Sequence, residues 1–372
     1  MQVVAAGFVL YQQRKRKHQH DDQQLVQAIQ QSFSLLFRKP DTIFRNPQIR
    51  RHIKNLFAEV KEDPIRFQRM VRFTHEQFMD LHREIRHIFS TPESRLNAHR
   101  LDTLNRLFIF LVKLRGDHYL TDLEFLTGLS DTILSDDFHF ILSRIIGVLA
   151  YEIQWPDEKE QSVLATLVRD HPDLHDIIGY LDATHVDIYR PSTISQRIYF
   201  RNNKRKHTLL YQVIVDWRGV VRWAEGSIPG ALSNDHRFFS RSDIYQQSDN
   251  YLHHRFRLCA DGGYSCTNFL VTPYAQDEIK QETKDAQENF NKMLRRHRVI
   301  VEYTFAAIKN TWRVLIGKSR FHNHRSVDQI FYLACILSNR LMRLNNKYLR
   351  GAEYLQGQEE AWAKRLRLAA EH

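Results

Sequence analysis

The chain has 372 residues, of which 42% are hydrophobic and 26% charged, a composition typical of a globular protein with a sizeable core. Its formal net charge of +11 favours a polyanionic partner, either a nucleic acid or an anionic membrane surface. The three cysteines have no metal-ligand spacing and make no disulfide framework. No apolar run reaches the length of a membrane span, so we expect no association with a membrane.

The first part of the chain, residues 1–45, is rich in Gln, His and basic residues and predicts a flexible basic arm. One helix is expected within it, over residues 23–37. The basic run at residues 14–17 is typical of a nuclear-localisation signal, although such runs also occur on ordinary solvated surfaces. We therefore expect the protein in the nucleus.

Residues 46–172 carry the period of amphipathic helices and predict a helical domain. Within it, residues 101–150 predict a helix, a short helix capped by Thr121 and Glu124, a turn at Gly128, and a third helix. This order is typical of a helix-turn-helix, and also of many helical bundles. Aspartates lie at the start of the third helix and would be repelled by the phosphates that line a DNA groove. A purely structural role for this helical domain therefore remains an alternative.

The pattern changes near residue 172, and residues 173–345 predict an α/β domain. Three apolar runs predict buried strands, at residues 177–181, 209–215 and 255–260. The turn at residues 216–219 predicts a hairpin whose second strand covers residues 220–224. Helices are expected over residues 299–315 and 330–344. A charged C-terminal helix is expected over residues 346–372.

Two of the predicted strands end in a carboxylate that small or polar residues follow. Asp182 ends the first of them, and Asp261, which precedes two glycines, ends the last. Glu302 lies on the helix of residues 299–315, whose apolar face would pack on the sheet while Glu302 leans over its edge. Three carboxylates that meet at one point need a cation to stay ionised. Their oxygens suit Mg²⁺ or Mn²⁺, and two such ions would activate a nucleophile and stabilise the leaving oxygen of a phosphodiester.

Each of these carboxylates also has an ordinary structural explanation. Asp182 and Asp261 could simply begin turns. Glu302 could be a solvated helix residue that pairs with Arg298 one turn before it. The order and the contexts of the three acids, taken together, favour a metal site.

The segments around these acids resemble the motifs of the transposases of PIF/Harbinger DNA transposons and of the host proteins derived from them. The matching segments follow the family's order: LDATHV (181–186), YFRNNK (199–204), the strand and turn at 209–216, PGALSND (229–235), ADGGY (260–264), LVTPY (270–274), the helix with Arg298, Glu302, Phe305 and Lys309, and ACILSN (334–339). Two positions depart from the pattern, since Ala183 replaces a glycine and Ser338 replaces a histidine.

This resemblance implies a ribonuclease-H-like, mixed-sheet α/β core, preceded by a helical, helix-turn-helix-like N-terminal domain. It implies a DDE-type nuclease in which Asp182, Asp261 and Glu302 hold two Mg²⁺ or Mn²⁺ ions. Such an enzyme cuts DNA at the ends of a transposon and joins the freed strands to a target. DNA is then the partner, and a separate Myb-like DNA-binding protein is implied as a second one. Assembly into an oligomer stays open.

Weaker candidates surround these three acids. Five basic residues are candidates for contact with the DNA backbone: Arg298, Lys309, Lys204, Arg205 and Lys206. Asp235 is a candidate auxiliary carboxylate, although a cap on the helix that begins near His236 explains it as well. The alternative function is that of a domesticated, catalytically silent DNA-binding or scaffold protein, which the changes at Ala183 and Ser338 keep open. A nuclease without a role in transposition is the third possibility.

Overall fold

The computed structural model describes nine segments of the chain: residues 53–90, 101–116, 118–166, 174, 176–191, 196–202, 204–253, 256–316 and 324–345. The predicted arm of residues 1–45, with its helix and its basic run, lies outside the described residues. The predicted C-terminal helix of residues 346–372 lies outside them too. The chain from Asn55 onward forms one compact unit that contains both helices and sheet. The predicted domain boundaries stay predictions.

The chain before the sheet is helical, as its periodicity predicts. Its helices are α1 (Leu56–Val60), α2 (Pro64–Val71), α3 (His75–Ile85), α4 (Thr103–Arg115), α5 (Leu120–Thr127), α6 (Asp131–Leu149) and α7 (Glu158–Thr166). Six of them begin at a side chain that accepts a hydrogen bond from the backbone N–H three residues later: Asn55, Asp63, Thr74, Asp102, Ser130 and Asp157. Each such cap contributes about 1 kcal/mol.

The three helices predicted over residues 101–150 are present as α4, α5 and α6. The start of α5 differs from the prediction, because the Asp122 carboxylate accepts the backbone N–H of Tyr119 at 2.8 Å. The predicted cap by Thr121 and Glu124 is therefore wrong. Gly128 ends α5 with a left-handed φ of 73°, a conformation that glycine adopts without strain.

The start of α6 is acidic, as the sequence indicates. Asp131 and Asp136 are exposed there, and Asp137 forms an ion pair with the buried Arg106 of α4. The ion pair joins two helices of the bundle, which is a structural role. Whether these helices read DNA stays a prediction.

The sheet contains both parallel and antiparallel strands. Its strands are β1 (Ile177–Asp187), β2 (Phe200–Arg201), β3 (Lys206–Val215), β4 (Val221–Pro229), β5 (Arg257–Cys259) and β6 (Leu270–Val271). Strand β3 runs antiparallel to β1, β2 and β4, while β1, β5 and β6 run parallel to one another. This mixed sheet confirms the predicted α/β class. The hairpin of β3 and β4 forms as predicted, but β4 continues beyond residue 224.

Helices cover both faces of the sheet. The remaining helices are α8 (Gln196–Tyr199), α9 (Asp235–Phe239), α10 (Asp243–Gln246), α11 (Ser248–Tyr251), α12 (Lys284–Thr311) and α13 (His324–Asn345). Side chains alternate along β3, so Tyr211 stacks on Phe331 of α13, with ring centroids 4.1 Å apart, while Ile214 joins a core with Leu164 of α7 and Phe239 of α9. Of the helices described, none is both long enough and apolar enough to cross a membrane.

Asn339 joins α13 to two other parts of the fold. Its side-chain oxygen accepts the Val221 N–H at 2.9 Å, and its amide donates to the Val221 oxygen at 2.8 Å and to the Glu152 oxygen at 2.7 Å. The neighbouring Ser338 accepts a hydrogen bond from the indole of the buried Trp312 at 3.0 Å. The serine at this position therefore has a structural role of its own.

We expect Asn339→Leu to destabilise the protein by about 2–4 kcal/mol, because buried backbone groups lose their hydrogen-bond partners. Urea unfolding followed by tryptophan fluorescence measures the change. Asn310→Leu, at an exposed position on α12, serves as the control. A loss at Asn339 no larger than that of the control contradicts the assigned role.

Candidate active site

The register of β1 and β5 brings two of the predicted site residues together. Tyr180 and Cys259 are paired across these parallel strands, and Asp182 and Asp261 each follow two residues later. Asp261 lies just beyond β5, as predicted. Asp182 lies inside β1, which continues to Asp187, so the prediction that its strand ends there is wrong. The strand continues because its later residues stay paired with β3.

Asp182 is largely buried, and both of its oxygens have a partner. Its Oδ1 accepts the backbone N–H of Ala183 at 2.7 Å, and Arg298 of α12 donates to its Oδ2 at 3.2 Å. Burial raises the pKa of Asp182 to about 6, and Asp261 and Glu302 add to this rise, while Arg298 and the Ala183 N–H oppose it. The three predicted acids therefore share one electrostatic environment.

Glu302 reaches this environment from α12. The stripe of Val301, Phe305 and Ile308 is buried, as predicted, while Glu302 is exposed. The explanation of Glu302 as a partner of Arg298 is not supported, because Arg298 forms its ion pair with Asp182. The helix thus presents a cation and a carboxylate, one turn apart, to the same strand.

Asp235 forms a second acidic pair with Asp261. Asp261 Oδ1 and Asp235 Oδ2 lie 3.0 Å and 3.5 Å from the point where a side chain on Gly263 would place its Cβ. Burial raises the pKa of Asp235, and Asp261 raises it further, while Arg201 lowers it. Gly263 thus leaves open a space lined by two carboxylate oxygens.

The ordinary explanation of Asp235 as a helix cap is wrong. The cap of α9 is Asn234, whose side chain accepts the Arg237 N–H at 2.8 Å, and Asp235 is the first residue of the helix itself. Among the described residues its carboxylate has neither a hydrogen bond nor an ion pair. Neither a helix cap nor a hydrogen bond nor an ion pair therefore explains the position of the Asp235 carboxylate beside Asp261.

Gln212 is a residue of this region that the sequence analysis missed. It is fully buried in β3, and its amide donates to the Asp235 backbone oxygen at 2.7 Å and to the Tyr264 hydroxyl at 3.0 Å. Burial raises the pKa of Tyr264, and the charges of Asp235, Asp182 and Asp261 raise it further. Gln212 thus fixes the first turn of α9 and a phenol that lies near three acids. A glutamine inside the apolar run LLYQVIV is the signal that could have identified it.

Lys309, a predicted DNA-backbone contact, is engaged with β1. Its Nζ donates to Thr184 Oγ1 and to the His185 oxygen, both at 2.7 Å. Burial lowers the pKa of Lys309 to about 8, while Asp187 raises it. These bonds hold α12 against the strand that carries Asp182.

The basic run between β2 and β3 lies beside the same strand. Lys204 and Arg205 are exposed, while Lys206 forms an ion pair with Asp187. Burial lowers the pKa of His185 to about 4, and the positive charges of Arg201, Lys309 and Lys204 lower it further. Positive charge is therefore concentrated next to the acids.

The donor set suits a hard divalent cation, since carboxylate oxygens are the ligands that Mg²⁺ and Mn²⁺ prefer. The arrangement is not complete, however. In the part of the chain that the structure describes, no group of three or more His, Cys, Asp or Glu side chains is placed to hold a metal ion. One oxygen of Asp182 is already engaged by Arg298.

Comparison with known proteins agrees with this geometry. Residues 181–339 match the DDE superfamily endonuclease family. This part of the chain is similar to the DDE superfamily endonucleases. The matched segment contains Asp182, Asp261 and Glu302, and its superfamily generally uses divalent metal ions and implies a ribonuclease-H-like core. The predicted relationship to transposase-type nucleases is confirmed.

Two relatives extend this finding. "Putative nuclease HARBI1" from Xenopus laevis is 25% identical over 238 residues, which cover 63% of this chain and 66% of that protein. "Protein ALP1-like" from Arabidopsis thaliana is 18% identical over 266 residues, which cover 68% of this chain and 64% of that protein. The chain thus spans slightly less than two thirds of either relative. No solved structure matches it.

The buried carboxylate of Asp182 predicts a pH-dependent stability of the DDE domain without metal. Its pKa in the folded state, about 6, exceeds the ordinary value of 3.8. Stability from this group is therefore complete below pH 4 and is lost as the pH rises through 6. We expect Asp182→Asn to match the wild type in stability at pH 4 and to exceed it by about 2–3 kcal/mol at pH 8. Urea unfolding in EDTA at both pH values measures the difference. A constant difference contradicts the assignment.

Proposed function

We propose that the protein is a metal-dependent DNA endonuclease and transposase of the DDE type, which hydrolyses phosphodiester bonds at transposon ends and joins the strands. One observation carries the proposal. Asp182 lies in β1 beside Asp261, which follows the end of the parallel strand β5, with Glu302 in electrostatic reach, inside the segment that matches the DDE superfamily endonucleases. A metal-dependent reaction on phosphodiesters explains why carboxylates that repel one another are kept close together.

In this mechanism Asp182, Asp261 and Glu302 would hold two Mg²⁺ or Mn²⁺ ions. Such ions would make a water molecule more acidic and stabilise the charge on the leaving oxygen. Water would attack the phosphodiester at the element's end and displace a 3′-hydroxyl, which would then attack a phosphodiester of the target DNA in line and displace the target's own 3′-oxygen. The protein orients the reacting groups. The sheet fixes the two aspartates relative to each other, and Lys309 keeps α12, with Glu302, against β1.

DNA is the proposed polyanion because of the charge around the site. Lys204 and Arg205 are exposed in the turn before β3, where Lys204 helps to lower the pKa of His185. Arg201 lies close enough to Asp235 to lower its pKa, against the effect of burial. The formal net charge of +11 acts in the same direction. We assign Arg298, Lys309 and Lys206 to the same backbone-contacting surface.

The core of the proposed enzyme is of the ribonuclease-H-like type, which the order of the strands supports. The helices of residues 101–150 form a helix-turn-helix-like unit, and a separate Myb-like protein assists DNA binding. The protein works in the nucleus, in agreement with its basic run at residues 14–17. An oligomeric assembly belongs to the same proposal.

A second candidate function is that of a domesticated, catalytically silent DNA-binding or scaffold protein. One observation favours it. Arg298 occupies an oxygen of Asp182, and no metal-binding group of three or more side chains is assembled among the described residues. The two functions differ in whether cleavage of DNA depends on the carboxylates.

The test of the function is nicking of labelled DNA with Mg²⁺ or Mn²⁺, in a nuclear extract that supplies partner proteins. We expect cleavage by the wild type and none by Asp261→Asn or Glu302→Gln, because each variant loses a charged metal ligand. Both variants should keep their fold and their DNA binding. Asp285→Asn, an exposed acid on the same helix as Glu302, should cleave like the wild type.

Two outcomes count against the proposal. If Glu302→Gln cleaves as well as Asp285→Asn does, the site assignment is wrong. If no protein cleaves while all bind DNA with a steep dependence on salt, the silent DNA-binding protein becomes the better function.

We also propose Asp235 as an auxiliary carboxylate that shares the ion next to Asp261. Asp235→Asn and Gly263→Ala should both reduce the cleavage rate about tenfold or more. The alanine acts because its Cβ would lie 3.0 Å from Asp261 Oδ1 and 3.5 Å from Asp235 Oδ2, and would fill the space between them. Asp249→Asn, at an exposed position on α11, is the control. Rates equal to that control would remove Asp235 from the site.

A further inference from the structure

Arg298 is the cation that pairs with Asp182. The side chains of the pair are 13% and 15% exposed, so both charges are largely withdrawn from water. Asp182 also feels the charges of Asp261 and Glu302, which repel its own. A positive charge is needed for such a carboxylate to stay ionised, and Arg298 supplies it from the adjacent turn of α12.

The contact between the two residues is a poor one for a guanidinium. It is a single hydrogen bond from Nη2 at 3.2 Å, whereas arginine and a carboxylate often form two parallel bonds. The Nε of Arg298 is buried and has no hydrogen-bond partner among the described residues. Arg298 therefore has unused donors at its position beside Asp182, and another anion with better geometry can compete for it.

A divalent ion and Arg298 compete for the same carboxylate. An ion bound at Asp182 Oδ2 would stand directly beside the guanidinium, and two adjacent positive charges in a largely buried site repel each other strongly. The arginine must therefore leave Asp182 when a metal ion binds there.

A phosphate is the partner that Arg298 would take next. Phosphate oxygens accept two hydrogen bonds from one guanidinium, which would use the donors that Asp182 leaves free. The turn of α12 before it also carries the exposed residues Lys292, Arg295 and Arg296, so that this stretch of the helix attracts a polyanion.

We infer that Arg298 exchanges between Asp182 and a DNA phosphate, so that DNA binding opens Asp182 to the metal ion and metal binding strengthens the hold on DNA. The inference rests on the proposed metal-dependent nuclease function. It adds a coupling between the two ligands, and such a coupling is reciprocal by thermodynamic necessity.

The test measures Mn²⁺ binding to the full chain by calorimetry, with and without duplex DNA. Gel electrophoresis afterwards checks that the DNA has not been cut. Without DNA, Arg298→Gln should bind Mn²⁺ about tenfold more tightly than the wild type, because nothing competes for Asp182. Arg298→Lys keeps the charge and should resemble the wild type. Arg69→Gln, which removes an equal charge from an exposed position on α2, is the control. DNA should tighten Mn²⁺ binding by the wild type but not by Arg298→Gln.

If Arg298→Gln binds Mn²⁺ no more tightly than the wild type, the inference is overturned, but the proposed function is not. The same holds if DNA still tightens Mn²⁺ binding by that variant. If neither the wild type nor Arg298→Gln binds Mn²⁺, the proposed metal-dependent function fails together with the inference.

A second measurement keeps the inference testable if Arg298→Gln does not fold. In EDTA, Asp182→Asn releases Arg298, while Asp261→Asn removes an equal charge but leaves the ion pair in place. We therefore expect Asp182→Asn to bind duplex DNA more tightly than Asp261→Asn, by about fivefold or more in a filter-binding or anisotropy assay. Equal affinities of the two variants overturn the inference.

Discussion

The site is organised around the buried carboxylate of Asp182, whose pKa is raised first by burial and further by the nearby Asp261 and Glu302. The parallel register of β1 and β5 brings Asp182 beside Asp261, which follows the end of β5. Such a buried carboxylate stays ionised only if a cation compensates it. Arg298 supplies this charge from α12, and Gly263 keeps a space free between Asp261 and Asp235.

The elements around the acids hold them rigidly from several directions. Gln212 fixes the start of α9 through the Asp235 backbone, and Lys309 connects α12 to β1 through two hydrogen bonds. Packing of Val301, Phe305 and Ile308 fixes the rotation of α12, which brings Arg298 and Glu302 to the site. Asp182 lies on a strand and Glu302 on a helix, while Asp261 lies on the turn that follows β5. The strand and the helix favour a precise position of the acids that they carry.

The two departures from the family's motifs have local explanations. Ala183 donates its backbone N–H to Asp182, which any residue at that position can do. Ser338 accepts the indole N–H of Trp312 and thereby satisfies a buried donor within the helical packing. Neither change removes a carboxylate or a charge from the site. The departures alone therefore do not favour a silent protein over an active one.

From the sequence alone, the class of the fold and the β3–β4 hairpin could be predicted, and three acids stood out as candidates, because apolar periodicity and motif order are local properties of the chain. The prediction misjudged the length of β1, the start of α12, which is Lys284 rather than residue 299, and the caps at Tyr119 and Asn234. Strand pairing and competing side chains decide such ends. The contacts of Arg298 with Asp182 rather than Glu302, and of Asp235 with Asp261, depend on the tertiary fold. These contacts join residues far apart in the chain, and they depend on register and packing that no local pattern encodes.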